Sequence, residues 1–208
     1  MIANMGTQSA DIKLISSEIS RNGWTHGKGS FRSDLLIDLG EEARMHETAG
    51  RLNPASTGHN ESRILSSIRG DSTLWLDDLR CGDAAKNFLL ALDILRIDLS
   101  QSMMLGLETV EAHFAVYPAG AAYSRHKDRF RDDDARVLSL VCYLNVDWPN
   151  DAGGALRLHL PGGTKDIAPM SGSTVIFLSG EIEHEVLPST QTRYSIAAWF
   201  RRHEKQRY

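Results

Sequence analysis

Residues 111–118 read EAHFAVYP, 123–130 YSRHKDRF and 136–146 RVLSLVCYLNV: three short strand-like runs parted by Gly, Pro and Asp. Four more follow, GGALRLHLP (153–161), STVIFLSG (173–180), HEVLPS (184–189) and RYSIAAWF (193–200). Short strands broken by Gly and Pro imply an antiparallel sandwich or barrel. Upstream the period changes. Ile12, Ile15 and Ile19 share one helical face; a second helix opens at Ser33 as N-cap and stops near Gly50; a third runs from about Asp83 to Gly106 on a stripe of Phe88, Leu92, Leu95 and Leu99. Between them residues 50–75 (GRLNPASTGHNESRILSSIRGDSTLW) read as a long surface loop ending in a strand. The expected class is α+β in one domain, 1–208: residues 1–106 are helical support with a lid loop at about 50–71, and residues 107–200 are a double-stranded β-helix (jelly roll) core.

At 208 residues and 41% hydrophobic, the chain can bury a core without staples. Two cysteines, Cys81 and Cys142, form no Cys-x-x-Cys pair, which points to a reducing compartment. The first residues lack a basic region followed by a long apolar run, and no apolar stretch nears the roughly 20 residues of a span. The expectation is a soluble, cytoplasmic protein. A net charge of −4 gives no support to a nucleic-acid partner. The acidic run Asp132 to Asp134 reads as a solvated loop, and the RGD at Arg69 to Asp71 as incidental.

In YSRHKDRF, His126 and Asp128 are two residues apart, and on a strand they would face the same side. With eight histidines in the chain, the pair alone proves little. The segment 180–200 adds His184. Two imidazoles and a carboxylate on one face of an octahedral metal leave positions open, as in non-haem Fe(II) oxygenases. A structural zinc site would want four protein ligands, often cysteine. A hydrolytic zinc site would want a glutamate base, and Glu183 and Glu185 on a strand would face away from His184. His113 and His159 are read as hydrogen-bonded structural residues; His26, His46, His59 and His203 are read as surface residues.

Arg193 shares strand parity with Ser195, Ala197 and Trp199. An inward arginine carries a permanent charge that is expensive to bury without a carboxylate, and the sequence offers no acid on that face. A ligand carboxylate would resolve this. Tyr143, on the parity of Ser139 and Val141, could donate a hydrogen bond to the same group.

IRGDSTLW (68–75), YPAGAAYSRHKD (117–128), CYLNVDWPNDAGGALRL (142–158), HEVLP (184–188) and TRYSIAAWF (192–200), in this order, resemble the Fe(II)- and 2-oxoglutarate-dependent prolyl hydroxylases, most closely the hypoxia-inducible-factor type and its bacterial relatives. The resemblance implies that His126, Asp128 and His184 ligate iron and that Arg193 and Tyr143 hold the distal carboxylate of 2-oxoglutarate. It makes Tyr123 an aromatic near the co-substrate, Trp199 an inward aromatic beside the iron and Tyr117 a tyrosine lining the site. The turn YPAGAAY is a residue shorter than in the hypoxia-factor enzymes, which bears on Tyr117.

The implied reaction consumes O₂ and 2-oxoglutarate, releases succinate and CO₂, and hydroxylates a prolyl residue of a protein, with ascorbate rescuing oxidised iron. The absence of a targeting region or regulatory domain suggests a bacterial-type enzyme, with translation elongation factor Tu as a candidate partner. Arg136 matches a position that pairs with Asp71, an exposed pair closing the lid, with Arg69 beside it. Two rival readings are a 2-oxoglutarate oxygenase acting on a free amino acid, another side chain or a nucleobase, and a non-catalytic jelly-roll module. The IRGDSTLW and CYLNVDW words argue against the first, and retention of both Arg193 and Tyr143 argues against the second.

Overall fold

The helical stripes are the simplest elements to derive. The structure, a computed structural model, describes residues 9–55, 68–129 and 135–203. In α1 (Ser9–Asn22), Ile12 and Ile19 are buried; in α3 (Asp83–Met103), Phe88, Leu92, Leu95 and Leu99 are all buried, as their three- and four-residue spacing requires. Asp83 sits in the first turn of α3, where a negative charge suits the helix dipole, and Met104 ends the helix in the left-handed region at φ 52°. In α2 (Ser33–Thr48), Ser33 is the first helical residue instead of the cap; the extended residue before it is Arg32, whose side chain pairs with Asp34.

Eleven strands are formed by the described residues: β1 (Trp24–Lys28), β2 (Asn53–Pro54), β3 (Ser72–Trp75), β4 (Thr109–Tyr117), β5 (Tyr123–His126), β6 (Arg136–Tyr143), β7 (Leu156–Leu160), β8 (Gly163–Ile167), β9 (Ser173–Leu178), β10 (Glu183–Val186) and β11 (Arg193–Arg201). They build a seven-stranded sheet, β1-β9-β6-β11-β4-β3-β2, and a four-stranded sheet, β5-β10-β7-β8, with every pairing antiparallel. This is the expected α+β jelly-roll arrangement. The sequence reading missed β1, β2 and β8, which are edge strands with mostly exposed side chains and so lack the apolar alternation that marks a strand.

Each central strand of the large sheet divides its side chains between two cores. Leu138, Leu140 and Cys142 of β6 and Ile196, Ala198 and Phe200 of β11 pack with the helices. Tyr143 of β6, with Ala115 and Tyr117 of β4, lies in a second cluster with Leu156, Leu158 and Val186 of the small sheet. The site lies on this second side. No helix among the described residues is long and apolar enough to cross a membrane.

His46, read as a surface residue, is fully buried. It continues the buried stripe Leu36, Leu39 and Ala43 at helical spacing. Cys81 and Cys142 are free and buried, with no disulfide between them. His59, the acidic run 132–134 and residues 56–67 of the lid loop lie outside the described residues.

Candidate active site

β5 and β10 pair so that His126 and His184 stand directly opposite, with ring centroids 4.3 Å apart. β5 ends at His126, so Asp128 is not on the strand; the chain bends and returns its carboxylate to the same point. Asp128 Oδ1 lies 3.4 Å from His126 Nε2 and 3.6 Å from His184 Nε2. The other ring nitrogens face backbone carbonyls, His126 Nδ1 that of Ser124 at 2.7 Å and His184 Nδ1 that of Ile182 at 3.3 Å. A carbonyl only accepts, so each Nδ1 carries the proton and each Nε2 turns a lone pair inward. Two lone pairs and a carboxylate oxygen converge with no donor between them, which a divalent cation satisfies.

The surroundings reinforce that charge pattern. Burial would raise the Asp128 pKa, but in the metal-free site the charged forms of His184 and His126, with the Ser139 hydroxyl, hold it well below the usual carboxylate range. Ser139 Oγ donates to Asp128 Oδ2 at 2.6 Å and contacts Ser179 Oγ at 2.8 Å, fixing the oxygen turned away from the centre. Burial lowers the His184 pKa against the pull of Asp128 and favours the neutral imidazole that a metal needs. Glu183 and Glu185 face away, pairing with Arg125 and with His159, the latter at 3.0 Å.

Arg193, Ser195, Ala197 and Trp199 line one cavity of about 290 Å³ with His126, Asp128 and His184. Arg193 is 1% exposed and makes no ion pair among the described residues. Its guanidinium lies 5.0 Å from the centres of both the Tyr117 and the Tyr143 rings, and one Nη donates to Ser195 Oγ at 3.1 Å. Arg193 Nε and the Tyr143 hydroxyl are buried without partners. Burial raises the Tyr143 pKa, so the phenol stays a donor. A fixed buried cation beside a phenol donor is an arrangement that a bound carboxylate would satisfy. The Gly-Gly of AGGALRL permits the approach: Gly153 and Gly154 both hold φ 73°, and a Cβ on Gly153 would stand 2.6 Å from the Pro188 carbonyl oxygen.

Tyr123 stacks on His126 at 3.6 Å between centroids, Tyr117 lies opposite Arg193 in the sheet, and both line the cavity. Trp199 packs beneath the Arg136 guanidinium, 3.8 Å from the ring centre. His113 was read as structural only. Its Nδ1 does meet the Phe114 carbonyl at 2.9 Å, but it also lines the cavity, 5.2 Å from the Trp199 ring. Its parity with Ala115 and Tyr117 was the available signal.

The expected Arg136–Asp71 pair does not form. Arg136 pairs with Glu111 at 2.7 Å, and Glu111 also takes Arg201 at 2.9 Å, since β4 and β6 flank the end of β11. Asp71 instead receives both arms of Arg69, at 2.7 and 2.9 Å, and its side chain is fully buried. Arg69 in turn bridges to the Tyr123 backbone and lies 4.9 Å from the Tyr123 ring centre. This pair belongs to the wall of the site instead of to an exposed latch.

A two-sheet jelly roll with two histidines and an aspartate converging beside a buried arginine that has no ion pair among the described residues is the arrangement of the non-haem metal oxygenases. The profile of the 2OG-Fe(II) oxygenase superfamily matches residues 112–201. Human prolyl hydroxylase EGLN3 is 34% identical over 182 residues, covering 82% of this chain and 75% of the relative. A Pseudomonas putida prolyl-4-hydroxylase superposes with a TM-score of 0.84 at 40% identity, covering 92% of this chain and 99% of that one. A Trichoplax adhaerens prolyl hydroxylase, solved with a hypoxia inducible factor oxygen degradation domain peptide fragment, superposes at 0.83 with 24% identity over 92% of this chain and 89% of that one, and so bears on the fold. The chain belongs to the 2OG-Fe(II) oxygenase superfamily and groups there with the prolyl hydroxylases. It spans 59% of mouse prolyl hydroxylase EGLN3 and 40% of human Egl nine homolog 1, about half the length of such curated relatives.

Proposed function

We propose that this chain is an Fe(II)- and 2-oxoglutarate-dependent dioxygenase, a single catalytic domain that hydroxylates a prolyl residue of a protein substrate. The observation that carries the reading is Arg193, a buried cation with no ion pair among the described residues, in the cavity that also holds His126, Asp128 and His184. A metal kept only for structure would need no such receptor. His126, Asp128 and His184 would hold the iron, and Arg193 with Tyr143 would hold the distal carboxylate of 2-oxoglutarate.

The iron, when bound, supplies O₂ activation coupled to oxidative decarboxylation of 2-oxoglutarate to succinate and CO₂. The chain's own residues bind and orient. Ser139 holds the second Asp128 oxygen, Tyr123 buttresses His126, and Tyr117 and Trp199 would wall off water when the site is loaded. Arg69, paired with Asp71, holds the β5 side of the opening. Arg136 lies over Trp199 at the rim.

The prolyl target is supported by the likeness to prolyl hydroxylases from human and Pseudomonas putida. Translation elongation factor Tu, suggested by the sequence resemblance, is the first protein substrate to test, and ascorbate is the expected reductant. Buried free thiols fit a cytoplasmic location. The test is mass spectrometry of elongation factor Tu and of total protein from cells with and without the enzyme. Added oxygen on a proline only where the enzyme is present supports the reading. Succinate formation with no hydroxylated proline in any protein would redirect it to another substrate class.

A further inference from the structure

Behind the catalytic wall, where α2 meets the start of α3, Glu42, His46 and Cys81 bring a carboxylate oxygen, an imidazole nitrogen and a sulfur within 4.8 Å of one another. All three residues are buried. We propose that they form a second metal site, for a borderline-soft divalent cation of the Zn²⁺ type.

The strongest sign is His46. It is fully buried, yet neither ring nitrogen has a hydrogen-bond partner. Glu42, one turn earlier on the same face of α2, has an oxygen 3.5 Å from His46 Nε2, at the limit of a hydrogen bond. A buried imidazole with both nitrogens unsatisfied needs a reason. A cation between His46 and its neighbours gives one.

Glu42 is already held rigidly, because its oxygens accept the Gly82 amide at 2.6 Å and the Ala85 amide at 3.2 Å at the N-terminus of α3. A carboxylate has about four lone-pair sites, so two remain. Capping α3 explains Glu42, but it explains neither the buried histidine nor the thiol facing it. Cys81 precedes Gly82 and donates its thiol proton to the Trp75 carbonyl at 3.3 Å. On metal binding that proton leaves to solvent, the sulfur becomes a thiolate ligand, and no electron is transferred.

Mixed sulfur, nitrogen and oxygen donors favour Zn²⁺ over Mg²⁺ or Ca²⁺ and differ from the sulfur-free His126, Asp128 and His184 set; with three protein donors, the fourth tetrahedral position would be taken by a water. The site would tie α2 and α3 to the end of β3. There the Trp75 ring lies 5.1 Å from His113 and 6.3 Å from Trp199, both of which line the catalytic cavity.

The test titrates metal-free protein with Co²⁺ alone, reading stoichiometry and the near-ultraviolet thiolate-to-cobalt absorption that only a sulfur ligand gives. Wild type should bind two equivalents and show the band. Asp128→Ala should bind one and keep it, and Cys81→Ser should bind one and lose it. A wild type without the band, whatever its stoichiometry, overturns the proposal; so does a band that survives in Cys81→Ser. Should Cys81→Ser fail to fold, the wild-type and Asp128→Ala spectra still decide.

Discussion

The two faces of β11 are made of alternating residues of one nine-residue strand, yet they obey opposite rules. Toward the helices it presents Ile196, Ala198 and Phe200, all fully buried among Leu138, Leu140, Phe114 and other apolar side chains. Toward the small sheet it presents Arg193, Ser195, Ala197 and Trp199, with Arg193 Nε and Trp199 Nε1 buried and unsatisfied. The first face lowers the free energy of the fold by removing apolar area from water. The second leaves polar groups underused in the apo protein, so the ligand would supply the missing partners. Stability and function are thus separated by strand parity.

Substitutions on each face should separate the two properties. The largest effect is expected at the metal centre: Asp128→Ala removes one of three converging donors and should reduce 2-oxoglutarate turnover to background, while the thermal midpoint of the metal-free protein stays near wild type. Succinate release and a melting curve measure both. On the opposite face Phe200→Ala should do the reverse, costing about 3–5 kcal/mol in urea unfolding while the folded fraction keeps its affinity for 2-oxoglutarate.

Asp71→Ala strands the mostly buried Arg69 charge, and the expected cost is about 3 kcal/mol of stability. An unchanged urea midpoint would restore the exposed-latch reading that the geometry replaced. Arg193→Leu, by contrast, removes a buried charge that has no ion pair among the described residues, so apo stability should stay level or rise. A large loss of stability would mean that Arg193 serves the fold.

An effect confined to acid pH is expected at His113. Burial, helped by the Arg69 charge, lowers the His113 pKa to about 4 from 6.5. A histidine depressed in the folded state contributes stability that is complete above pH 6.5 and is lost as pH falls through about 4. Over that window wild type should lose up to about 1.4 kcal/mol per pH unit more than His113→Phe. Parallel pH–stability curves would show that His113 titrates normally.

Much of this was legible because its signals are local. The stripes of α1 and α3 and the parity of Arg193, Tyr143 and Trp199 follow from helical and strand periods alone, and those periods led to the cavity. His126 and His184 are far apart in sequence, and spacing alone proved little for them; the ordered words shared with a known family drew the three donors together. What was hidden depends on what lies across from a residue. β1 and β8 bury too little to show a pattern. His46 continues the stripe of Leu36, Leu39 and Ala43, but its residue type argued for the surface. The partner of Arg136 turned on β4 bringing Glu111 alongside, which no spacing within IRGD could reveal.

The central claim is that Arg193 is a co-substrate receptor, and anaerobic calorimetric titration of 2-oxoglutarate into Fe(II)-loaded protein tests it most directly. Wild type should bind one equivalent. Arg193→Leu should bind iron normally but 2-oxoglutarate about ten- to a hundred-fold more weakly, the loss of a charge-assisted contact of about 1.5–3 kcal/mol. Equal 2-oxoglutarate affinity in the two proteins would contradict the account.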